Sequence, residues 1–531
     1  VDRRTFLRLS GATVAALSVG ALTPQRAGAA GSFFLHGVAS GDPSPDGVVL
    51  WTRVTPMPDA VPGSGLGPAV SVGWDIAEDP GFRRVVARGE RRTGADWDHT
   101  VKVEVEGLRP DTYYWYRFSF DGTRSAVGRT RTAPPTDFAQ ERVCFGVVSC
   151  ANLEGGYFSA YRDLASRADE LHAVVHLGDY LYEYGSGDYG PGPRIKRLHE
   201  PAHAIYSLSD YRMRHAQYKR DPDLQRLHAA VPFVVTWDDH EIADDAWSGG
   251  SKETPTGAFP ARVAAARQAY AEWMPVRDLW SAPLYRKLTF GRLVDLSMLD
   301  LRSYRTKQPT LTEEGKPAGR TITGDEQLGW LIQGLTETDA VWRLVGNPDM
   351  ISPLIAPQLP YVVTAALSRI LPIPPQGSSV NRDQWDGYPG DRDRLLSHVY
   401  GHRLRNVSFL TGDIHTSWAA QVPLEYGDYP NTPVPATELI CPSVTAESGA
   451  DLLRSRRLAR LAQRALVAKN PHFQHSELVS HGYSLLDVRP EGIEFSWHYV
   501  SDRTRVDATV WQAAVARIAS GDTTVRVGSR V

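Results

Sequence analysis

Cysteine is scarce, with three in 531 residues, too few for a disulfide framework. No run of 18 or more apolar residues occurs, so no segment reads as a membrane-spanning helix. Neither sign of charge dominates: 58 Lys+Arg face 61 Asp+Glu, a net of −3. That removes the overall basic footprint of a nucleic-acid-binding protein. Only 8 of the 58 basic residues are Lys, which points to GC-rich coding rather than to a function. Several catalytic signatures are missing too. His240-Glu241-Ile242-Ala243-Asp244 lacks the second His of a zinc-protease helix. No G-x-S-x-G elbow and no Gly-rich P-loop occur, and neither Cys150 nor Cys441 opens a C-x-P-x-R sulfatase signature. What remains is 42% hydrophobic and 22% charged, the composition of a globular chain. Its length calls for two or more domains.

The first 29 residues read as a leader. V-D-R-R-T-F-L-R precedes a mildly apolar Ala/Gly/Ser stretch, and Ala27-Gly28-Ala29 follows, the order of a secretory signal with its cleavage site. Arg3-Arg4 before Thr5-Phe6-Leu7 resembles a twin-arginine signal; an ordinary signal with a chance arginine pair is the alternative. The expectation is a protein exported by the twin-arginine machinery to the exterior, cell wall or periplasm. Without these residues the balance is 54 basic against 60 acidic, or −6.

Residues 32–133 read as a small all-β sandwich, with strand-length apolar runs between Gly/Pro/Asp turns. The segment Leu108-Arg109-Pro110-Asp111-Thr112-Tyr113-Tyr114 resembles the tyrosine corner of fibronectin-III-type sandwiches, with Tyr114 in that role. Residues 134–141, opening on Pro134-Pro135, form a linker. From 142 to 505 strands and helices alternate, the pattern of an α/β domain. Apolar runs fall at 143–148, 173–177, 233–236, 293–299, 342–345, 407–410 and 438–440, and helical periodicity at 157–171, 210–228, 261–273, 325–336 and 391–404. The Pro-rich stretch 353–376 reads as a long loop or lid. Residues 506–531 are expected to form a C-terminal helix and tail, with 508–518 amphipathic.

The chemistry lies just after the apolar runs. Ser149-Cys150, Gly178-Asp179-Tyr180-Leu181-Tyr182, Asp238-Asp239-His240-Glu241, Asp300-Leu301-Arg302, Gly346-Asn347 and Gly412-Asp413-Ile414-His415 follow in turn. In α/β sheets the carboxyl ends of strands gather along one edge, where ligands bind. Six strand ends bearing metal-ligand or phosphate-binding groups therefore converge.

These residues resemble the calcineurin-like metallophosphatase superfamily, whose pattern is D-x-H, G-D-x-x-[DY], G-N-H-[DE], a single His and G-H-x-H. The departures are specific: Ser149-Cys150 replaces D-x-H, Asp238-Asp239-His240-Glu241 replaces G-N-H-E, Asn347 replaces the single His, and Gly412-Asp413-Ile414-His415 replaces G-H-x-H. That set resembles the PhoD-type alkaline phosphatase/phosphodiesterase family across nearly the whole chain. The resemblance implies a metallophosphatase sandwich flanked by helices, one Fe³⁺ with Cys and Tyr ligands plus one or two Ca²⁺, and a C-terminal helix lying over the site that would restrict large substrates. It implies hydrolysis of small or polymeric phosphate mono- or diesters, scavenging phosphate, by a hydroxide or oxide that bridges the metals. Mn²⁺ or Zn²⁺ would be poorer substitutes.

The residue types agree with that implication. Asp179 can bridge two cations, Tyr182 and Cys150 are strongly donating anions suited to trivalent iron, and His415 adds a nitrogen. Asp239 and Asp413 are hard oxygen ligands that suit Ca²⁺, Mg²⁺ or Mn²⁺, and Asp244 and Asp245 could add oxygens to a second calcium. His240 is expected to contact phosphate and donate a proton, Arg302 to fork onto phosphate, and Asn347 to complete the catalytic set. Each has a plainer alternative: an inert buried thiol for Cys150, ring packing for Tyr182, a helix cap for Asp179, a core histidine for His240, and an ion pair with Asp300 for Arg302. The basic run from Arg454 to Arg464 reads as a solvated helix face, with an anionic polymer or membrane surface as the other reading. Two further functions remain open: a wall-polymer-binding protein with a structural metal centre, and a nucleotide or phospholipid esterase with a different metal pair.

Overall fold

The computed structural model describes residues 33–529, apart from 191, 193, 278, 280–281, 311–312, 314–318 and 357–378. The expected leader, 1–29, and most of the Pro-rich stretch 353–376 lie outside these residues.

The apolar runs become strands because β-branched and aromatic side chains suit a pleated surface covered on both faces. Val143–Val148, Ala173–Leu177 and Phe233–Thr236 are wholly buried and pair side by side in parallel. Val294–Met298, Trp342–Asn347, Val407–Thr411 and Ala436–Ile440 form a second parallel set. Further strands, antiparallel except for Val38–Ser44, which joins Phe233–Thr236 in parallel, extend the sets into a ten-stranded and a seven-stranded sheet. The two sheets share one apolar layer, in which Phe145, Val147 and Val175 meet Leu296, Leu344 and Leu410. Helices cover the outer faces. Ser159–Ser166, Leu208–Lys219 and Phe259–Trp273 pack on the larger sheet, and Asp325–Glu337 and Pro389–Gly401 on the smaller. A parallel bridge between Ser149 and Ser443, each just beyond a strand, shows that both sets end along the same edge.

The front sandwich forms as expected. The hydroxyl of Tyr114 accepts the backbone N–H of Arg109 at 2.9 Å, closing the tyrosine corner. One layer is a five-stranded sheet that includes Val70–Ala77 and Tyr113–Phe120. Val72, Ile76, Tyr116 and Phe118 pack it onto Val38, Val48, Leu50 and Val101 of the other layer. That second layer is not separate: Gly41 pairs in parallel with Phe233, so the layer is the continuation of the ten-stranded sheet. Glycine is required at the junction, because a Cβ on Gly41 would lie 2.0 Å from the carbonyl oxygen of Pro275.

Two expectations are corrected. The single helix expected over 210–228 is two, Leu208–Lys219 and Pro222–Ala230. Pro222 cannot continue a helix but starts one well, and Asp221 caps it by accepting the N–H groups of Asp223 and Leu224. The expected C-terminal helix at 508–518 is the strand Val510–Ala519. It pairs antiparallel with Gly492–Val500 and Arg526–Ser529, so it completes a sheet and does not lie over the site as a helix.

Candidate metal centre

The ends of both parallel sets carry the expected side chains, and the backbone there is strained. Cys150, Asp179, Asp413 and His415 have φ of 60°, 55°, 57° and 57°, the left-handed region that costs L-residues and clusters at functional sites. These sharp turns aim consecutive side chains inward instead of letting a helix begin.

Four of the expected residues meet at one point. Ligand atoms of Cys150, Asp179 and His415 lie within 4.8 Å of one another. The Tyr182 hydroxyl lies 3.0 Å from Asp179 Oδ2, to which it donates, and 3.0 Å from His415 Nε2. His415 Nδ1 lies 3.1 Å from the Glu447 carbonyl oxygen. Donation there leaves Nε2 with its lone pair toward the cluster. Asp179 Oδ1 is buried with no hydrogen-bond partner. Burial and the neighbouring Asp179 push the Cys150 thiol and the Tyr182 phenol well above their ordinary pKa values. The donor set is thus a thiol, a phenol, an imidazole and an orphaned carboxylate oxygen, all buried. A cation fits it, since only a positive charge would make two such anions favourable there.

Carboxylates dominate the adjoining space. Asp179, Asp239 and His240 form a second group of converging ligand atoms, Asp239, Asp244 and Asp245 a third, and Asp238, Asp349 and Asp413 a fourth. Burial would raise the Asp239 pKa, but His240, Arg302 and the N–H of Asp245 hold it at about 2. Burial, opposed by Arg302 and reinforced by Asp239, moves Asp413 up to about 6. Gln384 Nε2 donates to Asp413 Oδ2 at 2.6 Å.

His240 stands beside the first group, its ring 4.1 Å from that of Tyr182. Burial disfavours its cation, but Asp239, Glu183 and Asp179 raise its pKa well above the ordinary value. Glu183 Oε2 lies 2.8 Å from His240 Nδ1 and fixes the ring. Sequence reasoning missed Glu183, although its place directly after Tyr182 was a usable signal. It also missed Glu241 as a clamp: one carboxylate accepts the N–H groups of Asp179 at 3.0 Å, Tyr180 at 2.7 Å and Asp238 at 2.9 Å.

Arg302 and Asn347 sit differently from expectation. Arg302 is 1% exposed. Its Nε donates to Asp238 at 2.5 Å, Nη1 to Asp383 at 2.6 Å and Nη2 to Asp349 at 2.8 Å. Its guanidinium faces carboxylates rather than an open phosphate site, and Asp300 Oδ1 accepts only its backbone N–H, at 3.1 Å, instead of the ion pair of the plainer alternative. Asn347 donates to the Asp349 carbonyl and, at 3.2 Å, to Thr411, and accepts from Trp385 at 2.9 Å. Its amide shapes the turn that carries Asp349. Arg305 and Asp383, also missed, complete this ion-pair network. Cys144 and Cys441 are buried free thiols.

The arrangement is a set of converging candidate metal-binding groups with an imidazole at its edge whose proton the surrounding carboxylates favour, chemistry suited to an anionic ester. The family model for PhoD-like phosphatase matches residues 145–497, and that for its N-terminal domain matches residues 20–134. Alkaline phosphatase D of Bacillus subtilis (strain 168) is 37% identical over 496 residues, covering 89% of this chain and 80% of its own. A solved structure of PhoD superposes with a TM-score of 0.82 at 33% identity, covering 94% of this chain and 92% of that one. With that likeness running through both sheets and the converging ligands, the chain belongs to the PhoD-like phosphatase family and is a metal-dependent phosphatase.

Proposed function

We propose that the enzyme hydrolyses phosphomonoesters or phosphodiesters at an iron–calcium centre, outside the cytoplasm. In this reading Cys150, Asp179, Tyr182 and His415 hold Fe³⁺. Asp239 and Asp413, with Asp179 shared, hold Ca²⁺, and Asp244 and Asp245 contribute to a second calcium. When bound, the ions supply Lewis-acid activation of water and of the ester. The protein's own groups do the rest. His240, kept cationic by Asp239 and Glu183, meets the phosphate and gives its proton to the leaving oxygen. Arg302 and Asn347 act as positioning residues, neutralising and orienting the carboxylates behind the ions. The R-R-T-F-L start at Arg3 supports export by the twin-arginine route, and phosphate scavenging follows from ester hydrolysis outside the cell.

The observation that carries the metal assignment is the thiol–phenol–imidazole–carboxylate cluster around Asp179. Thiolate and phenolate are strongly donating anions that suit a trivalent iron better than a divalent ion that prefers neutral or carboxylate oxygens. The test is metal analysis of protein exported through its own leader, with rates on p-nitrophenyl phosphate and bis-p-nitrophenyl phosphate. Iron plus calcium, a purple to blue-violet charge-transfer band, and bleaching or a shift of that band in Tyr182→Phe are expected. A colourless, fully active protein containing only zinc or manganese would sink the assignment. So would a Cys150→Ser protein with normal iron, colour and turnover. Secretion unchanged after Arg3→Lys/Arg4→Lys would restore the ordinary export route.

A further inference from the structure

One charged surface has no part in this chemistry. The helix Arg456–Lys469 reads R-R-L-A-R-L-A-Q-R-A-L-V-A-K. Ser455 caps it, accepting the N–H of Leu458 at 3.2 Å. Ala459 and Ala462 are buried against a cluster that includes Trp418 and Phe473, on which Ile414, between Asp413 and His415, also packs. The helix is therefore fastened through that cluster to the loop of the metal centre.

Its outward face is unusual. Arg454, Arg456, Arg457, Arg460, Arg464 and Lys469 are all exposed, and no acid occurs from 454 to 469. None of these six cations forms an ion pair among the described residues, in a chain whose net charge is −3. At about 100° per residue, Arg456, Arg457, Arg460 and Arg464 fall in one stripe. Leu458, Leu461, Ala465 and Ala468 fall in an adjoining strip on the solvent side. Leu461 is 52% exposed and Leu458 39%. Local helix stability does not explain the stripe, because arginines in and before the first turn oppose the helix dipole.

We infer that this helix docks the enzyme on an anionic phospholipid surface. The arginines meet the headgroup phosphates while the leucine strip enters the boundary of the acyl chains, the division of labour of an interfacial helix. A soluble polyanion would need the arginines but not the leucines, and the exposed leucines favour the lipid.

The experiment uses the full chain and vesicles of equal phosphatidylglycerol and phosphatidylcholine, with pure phosphatidylcholine vesicles and soluble polyphosphate as comparison arms. Co-sedimentation should favour the anionic vesicles by about tenfold or more and weaken with salt. Arg456→Glu/Arg460→Glu/Arg464→Glu should abolish that binding, while turnover of p-nitrophenyl phosphate and thermal stability stay at wild-type values. Leu458→Ser/Leu461→Ser should weaken vesicle binding and leave polyphosphate retention unchanged. Equal binding to both vesicle types, or binding that survives the triple variant, would overturn the inference. Retention on polyphosphate with no vesicle binding would overturn it too, making the stripe a soluble-polyanion site.

Discussion

At the scale of single residues the site depends on charges that touch no substrate. Glu183→Gln keeps the shape beside His240 Nδ1 but removes a charge that favours the imidazolium. Turnover should fall by about ten- to a hundredfold, with metal content unchanged. The alkaline limb of the rate profile should move to lower pH, because the weakened acid loses its proton earlier; a limb that stays in place would leave Glu183 a packing residue only. Arg302 allows a sharper comparison. Removing it as Arg302→Ala strands Asp238 and leaves Asp349 and Asp383 to Arg305 alone, and breaking a buried network of this kind costs about 3–5 kcal/mol. Arg302→Lys keeps the charge but not the fork. It should retain the fold and bind metal more weakly, with KM little changed once metal is saturating. A large rise in KM at full metal loading would instead restore the phosphate fork expected from sequence.

At the scale of elements, the strand Val510–Ala519 makes a prediction that a capping helix would not. Ending the chain at Asp507 removes one of the two strands paired with Gly492–Val500 and takes Ala514, Ala516 and Ile518 from the layer that holds Phe495 and Trp497. Open edges and bare apolar faces aggregate, so the truncated protein should be recovered as insoluble material. A soluble protein with improved turnover of large esters would revive the cap. The same strand shows where sequence reading ran out. Its pairing shifts register between Trp497 and His498, and a bulge of this kind breaks the period-two alternation. What remained, V-W-Q-A-A-V-A-R-I-A, mimics a helical stripe. The buried parallel strands were legible because an uninterrupted apolar run ending on Asp, Cys or Asn has few other readings. The candidate ligands at those ends stood out for the same reason. Asp349, Asp383 and Glu241 were not, since their importance lies in whom they face across the sheets, and one carboxylate in a string carries no such information.

At the scale of the whole molecule, the fold buries weak bases in neutral form. Burial lowers His172, His176 and His215 to about 3 each. Lys219, also lowered well below its ordinary value by burial, has its Nζ 3.1 Å from His228 Nε2. The sign follows from linkage. Above pH 6.5 these three histidines are neutral in both states and cost nothing. Below it the unfolded chain binds protons that the folded chain refuses until about pH 3. Stability should therefore fall on acidification, by about 1.4 kcal/mol per pH unit for each group. Lys219 extends the slope upward, because its unfolded form is protonated below its ordinary 10.5. The Tm advantage of Lys219→Met over the unmutated protein should shrink as pH rises from 7 to 9; an advantage that stays constant with pH would contradict this account.

The junction at Gly41 bears on how such an enzyme can be rebuilt. Because one ladder runs from the strands that carry the candidate ligands into the front sandwich, the front portion is no detachable bead. A chimaera that grafts a foreign sandwich at the Pro134-Pro135 linker would inherit a raw seam alongside Phe233. It should fold only if the donor brings a glycine to face the Pro275 carbonyl and an edge strand of matching register. An exchange of this sandwich should therefore carry the strand Phe233–Thr236 with it as one block.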